Sequence, residues 1–502
     1  MRPRTLIAAA GAALLLAGPV ALAFYSGGFF TEPRLVAALA AWLLVLLLAI
    51  AGPAPVPRAF PGWLAVSGLA LLTVWSAISI SWAPLRGPAL ESVERLLLYL
   101  GALLVGIGVL RDRRALRAVE PAVAAGAAIV IGYGLSGRLL PGLIHLAHSA
   151  RAGGRLEQPI TYWNAEGALA AVGFVLCARI AGDPSRRPVT RALAAAATAP
   201  LGAGIYLSYS RGAIAAACVG LVLLVALAAG RAQLRAALVA LVTGVVAAAC
   251  SSAFAGVASL HGSLGDRERD GALMLVILVV LAVVAALVTL GRGGLRDEPL
   301  PGGRRLAAVA FAAVGLVAVG LAVGGLQEKV SAADLATAKA TRLTTVESNR
   351  YEYWRLGARA FADHPFGGLG AGGFRTYWLN HRPIKETVQN VHSLELETAA
   401  ELGVPGLLAL GAMLTGVGLA ARRALERERA LAVGVTAAAV VWLLHASIDW
   451  DWQLPAVTLP AITLAGALIA LSERLPARRV ERVEPAHGGD HPAHRRGVVA
   501  AD

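Results

Sequence analysis

The chain has 502 residues, of which 57% are hydrophobic and only 15% are charged. Soluble domains carry roughly 25% charged residues, so this composition, with its mean hydropathy of +0.67, argues against a soluble multidomain enzyme. The net charge of +14 would suggest nucleic acid as the partner of a soluble protein, but here the basic residues lie between long apolar runs. Cys177, Cys218 and Cys250 also lie in apolar runs without a C-x-x-C spacing, which favours buried packing over a disulfide or zinc framework.

Long apolar runs dominate the chain. A helix that crosses a bilayer needs about 20 mostly apolar residues, and fourteen runs of that kind are bounded by Arg, Pro or Gly clusters. They predict an all-α fold, a polytopic membrane helical bundle of about 12 to 14 transmembrane helices. The approximate spans are 5–25, 34–52, 62–80, 93–110, 118–136, 163–181, 192–208, 212–229, 236–255, 272–290, 306–325, 403–421, 430–448 and 454–472.

The first run follows Arg2 and Arg4 and ends at Ala21-Leu22-Ala23, a pattern that fits either a cleaved signal peptide or an uncleaved anchor. We favour the uncleaved anchor. In either case the second run crosses the membrane from outside to inside, so the orientation of the later spans does not depend on this choice.

The positions of the basic residues predict the orientation, because Lys and Arg are retained on the cytoplasmic side. With the N-terminus inside, most of the 45 basic residues fall in connections that face the cytoplasm. We therefore expect both termini in the cytoplasm.

One segment interrupts the series of short connections. Residues 326–402 hold all three lysines and many aromatic residues, which is typical of a folded functional loop rather than a disordered one. The sequence thus divides into an N-terminal bundle of about 11 helices (1–325), a partly helical extracytoplasmic loop (326–402), C-terminal transmembrane helices (403–472) and a disordered cytoplasmic tail (473–502).

Arg211 follows Ser208-Tyr209-Ser210 at the predicted outer end of two spans. An arginine at the membrane interface can simply extend its charge to the lipid headgroups. Alternatively, its guanidinium can hold a phosphate in a bidentate manner beside the start of the next helix.

The long loop contains Arg350 and Trp354, followed by the glycine-rich stretch 367–373. Gly368 to Gly373 matches G-x-G-x-x-G, but no strand precedes it, so a dinucleotide fold is not supported. Two interpretations stay open: its backbone amides cradle a phosphate, or it is a tight connection between two helices.

His392 begins a short predicted helix that Gly403 and Pro405 stop. Glu395 lies three residues further on the same helix face, and a carboxylate beside an imidazole orients it and raises its basicity. The pair suits a general base, although a histidine at a helix start can also be purely structural.

Asp449-Trp450-Asp451-Trp452 contains a D-x-D spacing that suits a metal-bound nucleotide sugar, but the predicted position outside the membrane argues against that role. The tryptophans fit an interface belt or, alternatively, stacking on sugars. The segment Tyr162 to Glu166 is open to the same two interpretations.

The order of these motifs carries a resemblance. They are Ser210-Arg211-Gly212, then Arg350-x-x-x-Trp354, then the stretch His364 to Phe374, then His392-Ser393 followed after nine residues by Gly403-Val404-Pro405-Gly406. In this order the chain resembles the superfamily of bacterial O-antigen ligases and O-antigen polymerases. Ser81-Trp82-Ala83-Pro84 is also similar to that family, whereas the turn from Asp449 to Trp452 is not part of its general pattern.

The resemblance implies a membrane glycosyltransferase in the bacterial cytoplasmic membrane, with its active site outside. It implies an undecaprenyl-diphosphate-linked glycan as donor, a hydroxyl of a lipid, glycan or protein as acceptor, inversion at the sugar carbon, and neither metal nor other cofactor. Membrane lipids are expected partners and nucleic acid is not. On this resemblance, His392 is the catalytic base with Glu395 orienting it, Arg211 and Arg350 bind the diphosphate, and Tyr209, Trp354 and Trp450 are possible glycan contacts.

Two alternatives remain at this stage. The motifs do not separate a ligase, which passes a completed glycan to its acceptor, from a polymerase, which extends a carrier-linked glycan. From another class, a transporter or lipid-linked glycan flippase also has many spans. Transport predicts charged or helix-breaking residues near the membrane midplane, whereas the candidate residues here gather at one face.

Overall fold

A computed structural model describes residues 3–291, 302 and 349–474 of the chain. Over these residues the regular structure is entirely helical. The helices are α1 (Pro3–Ala23), α2 (Thr31–Ala51), α3 (Phe60–Ser79), α4 (Arg86–Val109), α5 (Arg113–Leu139), α6 (Trp163–Ala181), α7 (Pro188–Leu207), α8 (Arg211–Ala228), α9 (Arg231–Ala253), α10 (Ala255–Ala258), α11 (Leu264–Leu290), α12 (Arg350–Asp363), α13 (Phe374–His381), α14 (Leu394–Arg427), α15 (Arg429–Ala446) and α16 (Pro455–Ser472). Short 3-10 turns lie at Ser26–Gly28, Ala150–Ala152 and Asp451–Gln453.

The predicted polytopic bundle is confirmed. Thirteen of the fourteen predicted spans coincide with helices, and twelve helices of the described residues are long and apolar enough to cross a membrane. The alanine-rich helix α7 covers the predicted span 192–208 but is not among these twelve. The predicted span 306–325, most of the loop segment before residue 349, and the predicted disordered tail beyond residue 474 lie outside the described residues.

The predicted helix interruption at Gly403 is confirmed. Gly403 has a φ of 64°, which is not helical, so one helical segment ends there and a second begins directly; together they make up α14 (Leu394–Arg427). Pro405 is compatible with this path because it lies in the first turn after the kink, where a missing backbone N–H is tolerated. The short loop helix and the following span thus meet at this kink.

Two helices form the centre of the bundle. Helices α6 and α16 are buried along their lengths, because α6 packs against α5, α7, α8, α9 and α15, while α16 packs against α1, α4, α14 and α15. Helix α15 touches both central helices and so links the two groups. Helices α2 and α11 lie at the periphery, where most of their apolar side chains face outward.

The two ends of the bundle differ in chemistry. At one end, arginines of the short connections pair with carboxylates: Arg111 with Glu473 at 2.9 Å and Arg186 with Glu120 at 2.7 Å. The opposite end carries the connections that contact residues 349–402, the part of the predicted long loop that the structure describes. The paired arginines and the loop thus lie at different ends of the bundle.

Helices α3 and α14 pack against each other through glycines. A Cβ atom added to Gly68 would lie 2.4 Å from the backbone nitrogen of Met413, and one added to Gly416 would lie 2.4 Å from that of Ala65. Such close backbone approach is typical of small residues between membrane helices. It holds the segment of α14 that follows the kink at Gly403 against α3.

We predict that Gly416→Ala lowers the thermal unfolding temperature in detergent, because the added methyl group must push α3 away. Overpacking of this kind costs about 1 to 3 kcal/mol. Gly418→Ala on the same helix is the matched control, since nothing lies within 4 Å of a Cβ added there. Equal changes for the two variants would contradict the packing described.

Candidate active site

The turn between α15 and α16 is the meeting point of the candidate residues. Asp449 in this turn is fully buried. One of its carboxylate oxygens accepts a hydrogen bond of 2.7 Å from the Tyr162 hydroxyl, and the other is paired with the Arg350 guanidinium. The Asn164 amide donates in turn to the Tyr162 oxygen at 2.7 Å. A continuous polar chain thus runs from α6 through the turn to the first residue of α12.

The charge of Asp449 is stabilised in this setting. Burial alone would raise the pKa of its carboxyl group, but the positive charge of Arg350, aided by the two nearby histidines and the Tyr162 hydrogen bond, holds that pKa below its ordinary value. Asp449 therefore stays ionised and keeps Arg350 in place.

His392 lies beside this pair in a geometry that suits a base. Its Nδ1 is 3.0 Å from the carbonyl oxygen of Asn390, and a carbonyl can only accept, so this hydrogen bond assigns the proton to Nδ1 and the lone pair to Nε2. Burial lowers the pKa of His392, which favours the neutral ring, although Asp449 opposes this shift. The ring is only partly buried. His392 is thus a neutral imidazole with a basic nitrogen at pH 7.

Aromatic side chains surround His392. The ring centroids of Tyr353 and Trp450 lie 5.1 Å and 6.3 Å from its ring, and the Trp354 indole donates to its backbone oxygen at 3.1 Å. Trp450 also packs edge-on against Phe29, with 5.6 Å between the rings. The structure therefore brings the candidates Trp354 and Trp450 to His392.

Two other candidates lie elsewhere. Tyr209 is buried, with its hydroxyl 3.4 Å from the carbonyl oxygen of Ala258. Glu395 accepts hydrogen bonds from the Ser393 and Ser447 hydroxyls at 3.3 Å and 2.8 Å. Among the hydrogen bonds of the described residues, none joins Glu395 to His392; the carboxylates whose charges act on His392 are Asp449, with the larger effect, and Glu386.

Arg211 lies at the start of α8, which packs close to the same turn. It is the first residue of α8, directly after Ser210, whose side chain caps the helix by accepting from the Ala213 N–H at 3.2 Å. A Cβ atom added to Gly212 would lie 2.7 Å from the Ile448 side chain. The start of α8 thus packs one residue away from Asp449.

The glycine-rich stretch is a tight connection. Its amide groups donate to the protein itself: Leu369 to the Ala400 carbonyl at 2.9 Å, Ala371 to the Ser79 hydroxyl at 3.0 Å, and Gly372 to Glu401 at 2.8 Å. These amides are therefore engaged within the fold, which favours the structural interpretation over a phosphate cradle.

Close backbone approach explains the glycines. A Cβ atom added to Gly368 would lie 2.3 Å from the backbone oxygen of Glu401, and one added to Gly370 would lie 2.6 Å from the Cα of Ala83. The Trp82 indole donates to the Gly367 carbonyl at 3.2 Å. Two motifs far apart in the sequence, 81–84 and 364–374, are thus packed together.

Two carboxylates on α14 accept hydrogen bonds from backbone amides of the loop. Glu397 accepts from the Val391 amide at 3.1 Å, next to His392, and is also bonded to the Gln453 amide. Glu401, one turn later, accepts from the amides of Gly372 and Phe374 at 2.8 Å and 3.2 Å. Both line a small pocket of about 30 Å³ that Asp449 and Arg95 also line, enough room for about one water molecule.

The fold and site define a multi-pass membrane protein with a polar site under a helical loop. Residues 271–411 match the family model of O-antigen ligase, which confirms the resemblance to the O-antigen ligase and polymerase superfamily. The match supports a membrane glycosyltransferase activity of the O-antigen ligase or polymerase type. It includes Arg350 and His392 but neither Arg211 nor the turn with Asp449. A search of curated proteins found no match.

We predict that Glu401→Ala lowers the free energy of unfolding by about 1 to 3 kcal/mol, because two buried amide groups lose their acceptor. Glu426→Ala, on the same helix, is the control: that carboxylate is 61% exposed and pairs with the exposed Arg422, so its loss changes stability by about 0.5 kcal/mol or less. Thermal or denaturant unfolding in detergent measures both. A Glu401 effect no larger than the Glu426 effect would contradict the supporting role of Glu401.

Proposed function

We propose that the protein transfers a glycan from an undecaprenyl-diphosphate carrier to an acceptor hydroxyl at the outer face of the bacterial cytoplasmic membrane. The observation that carries this proposal is the juxtaposition of His392, with its basic Nε2, and the Arg350–Asp449 pair. His392 suits removal of a proton from a hydroxyl, and Arg350 suits binding of an anionic leaving group. The family match supports the same type of reaction.

Arg350 and Arg211 bind the donor diphosphate in this proposal. A guanidinium has five N–H donors in a fixed fork, so Arg350 can pair with Asp449 and hold a phosphate oxygen at the same time. About a quarter of its side chain is exposed (23%), whereas Asp449 is fully buried. Fixed cations of this kind stabilise the negative charge that develops on the leaving diphosphate, and they make a metal ion unnecessary.

Transfer then proceeds by direct displacement. His392 Nε2 takes the proton of the acceptor hydroxyl as its oxygen attacks the anomeric carbon of the donor sugar. The bond from that carbon to the diphosphate oxygen breaks, its electron pair leaves with undecaprenyl diphosphate, and the configuration at the carbon inverts. The Asp449 carboxylate stabilises the imidazolium that forms, while Trp354 and Trp450 offer flat surfaces to the sugars.

The proposed orientation is supported by the arginines at one end of the bundle. The end with Arg111 and Arg186 faces the cytoplasm, because clustered arginines are retained there. Both termini then lie inside, and the loop 326–402, between the N-terminal bundle 1–325 and the C-terminal helices 403–472, lies outside with the active site. The acceptor, whether lipid, glycan or protein, decides between ligase and polymerase.

We predict that His392→Ala lowers the transfer rate about 10²- to 10⁴-fold through loss of the base. Arg350→Ala lowers it about 10²- to 10³-fold through loss of charge stabilisation. Purified protein with a labelled lipid-diphosphate glycan measures the rate. Arg355→Ala, which removes a 67% exposed arginine from the same helix, is the control and retains normal transfer. Normal rates for both site variants would overturn the assignment.

A second prediction concerns pH. Because burial lowers the pKa of His392 from the ordinary value of 6.5, the base stays neutral at pH 7 and kcat/KM falls only at more acidic pH, about tenfold per unit. Asp449 raises the pKa of His392, so Asp449→Asn moves the acid limb of the profile to still lower pH. An acid limb of the wild-type profile above pH 6.5, or a shift of that limb to higher pH in Asp449→Asn, would contradict the role of His392 as the base.

A further inference from the structure

A second histidine lies behind the site, in a buried row of three polar side chains. The Ser210 hydroxyl oxygen is 3.2 Å from His445 Nε2, and His445 Nδ1 is hydrogen-bonded to the Asp451 carboxylate. Ser210 is 4% exposed, and His445 and Asp451 are fully buried. A carboxylate only accepts, so His445 Nδ1 carries the proton of the hydrogen bond to Asp451. His445 Nε2 is then unprotonated and accepts from the Ser210 hydroxyl.

This order of groups is the one that activates serine in hydrolases, but its setting here is different. The Ser210 oxygen also accepts from the Ala213 N–H at 3.2 Å and so caps α8. A capping oxygen inside the protein is held by the helix and has little access to a substrate. The connection therefore acts on the backbone at the start of α8.

The same histidine lies close to the first turn of α8. A Cβ atom added to Gly212 would lie 3.3 Å from His445 Cδ2. Arg211 stands between Ser210 and Gly212, so both of its neighbours in sequence lie beside His445. Asp451 lies two residues after Asp449, which holds Arg350. One turn thus supports both arginines, through a different aspartate for each.

We propose that His445 and Asp451 are positioning residues for the donor diphosphate. They fix Ser210, and with it Arg211 and the first N–H groups of α8, at the place where the anionic group binds. This inference rests on the proposed function, because that function assigns Arg211 to the diphosphate. The interaction between a helix start and a phosphate depends on where the N–H groups point, so a shift of the first turn weakens donor binding.

The test compares donor and acceptor KM in purified protein. Ser210→Gly removes the hydroxyl but keeps a residue that is well tolerated at a helix cap. We expect Ser210→Gly and His445→Gln each to raise the donor KM about tenfold, the scale of losing support behind a binding group. The acceptor KM stays unchanged. The donor KM of the double variant is no higher than that of the single variant with the higher donor KM, because both substitutions remove the same connection.

Two variants separate positioning from folding. Ser210→Thr keeps the hydroxyl and recovers most of the donor affinity that Ser210→Gly loses. Ser263→Gly makes the same change at the exposed cap of α11 and leaves the donor KM unaltered. Binding of undecaprenyl diphosphate, measured by its thermal stabilisation of each variant, gives a readout that does not need an active enzyme.

The possible failures are distinct. If Arg211→Ala raises the donor KM while Ser210→Gly and His445→Gln do not, the positioning role is wrong and the proposed function stands. If Arg211→Ala itself leaves the donor KM unchanged in active protein, the assignment of Arg211 in the proposed function is wrong. Equal rises in donor and acceptor KM would show a structural role only, and would also overturn the inference.

Discussion

The site depends on one ion pair between Arg350 and Asp449. It joins the first residue of α12 to the turn between α15 and α16, two parts of the chain separated by 99 residues. Since Asp449 is fully buried, loss of Arg350 would leave an uncompensated charge inside the protein, a change that costs about 3 to 5 kcal/mol. This pair brings α12, with Trp354, to His392, and so makes one site from the loop and the bundle.

The residues around this pair are held in demanding conformations. Thr161, Tyr209 and His392 have φ values of 66°, 49° and 59°. These values lie in the left-handed region, which residues other than glycine rarely adopt. Each costs on the order of 1 kcal/mol or more, which the surrounding structure must offset. All three belong to the surroundings of the site: Thr161 precedes Tyr162, Tyr209 precedes Ser210, and His392 is the candidate base. The hydrogen bonds of Asp449, His445 and Trp354 keep these segments in place.

Much of this architecture is predictable from the sequence, because a helix that crosses a bilayer needs a long apolar run and each run is visible by itself. Arg350, Trp354 and His392 are predictable from motifs for a similar reason, since each motif is local. The partners of these residues are not predictable in this way. By sequence, the turn from Asp449 to Trp452 fits a membrane-interface belt or stacking on sugars, and nothing in the spacing of Asp449 and Asp451 shows that both are buried against Arg350 and His445. The helix interruption at Gly403, in contrast, is predictable because glycine is a local signal.

A double-mutant cycle on transfer tests the central claim that Arg350 and Asp449 work as one unit at the reacting site. The kcat/KM for the lipid-diphosphate donor is measured for wild type, Arg350→Gln, Asp449→Asn and the double variant. If the pair acts as a unit, the double variant is no slower than the slower single variant, so the two losses are far from additive. Additive losses would mean that the two residues act independently, and would contradict the account.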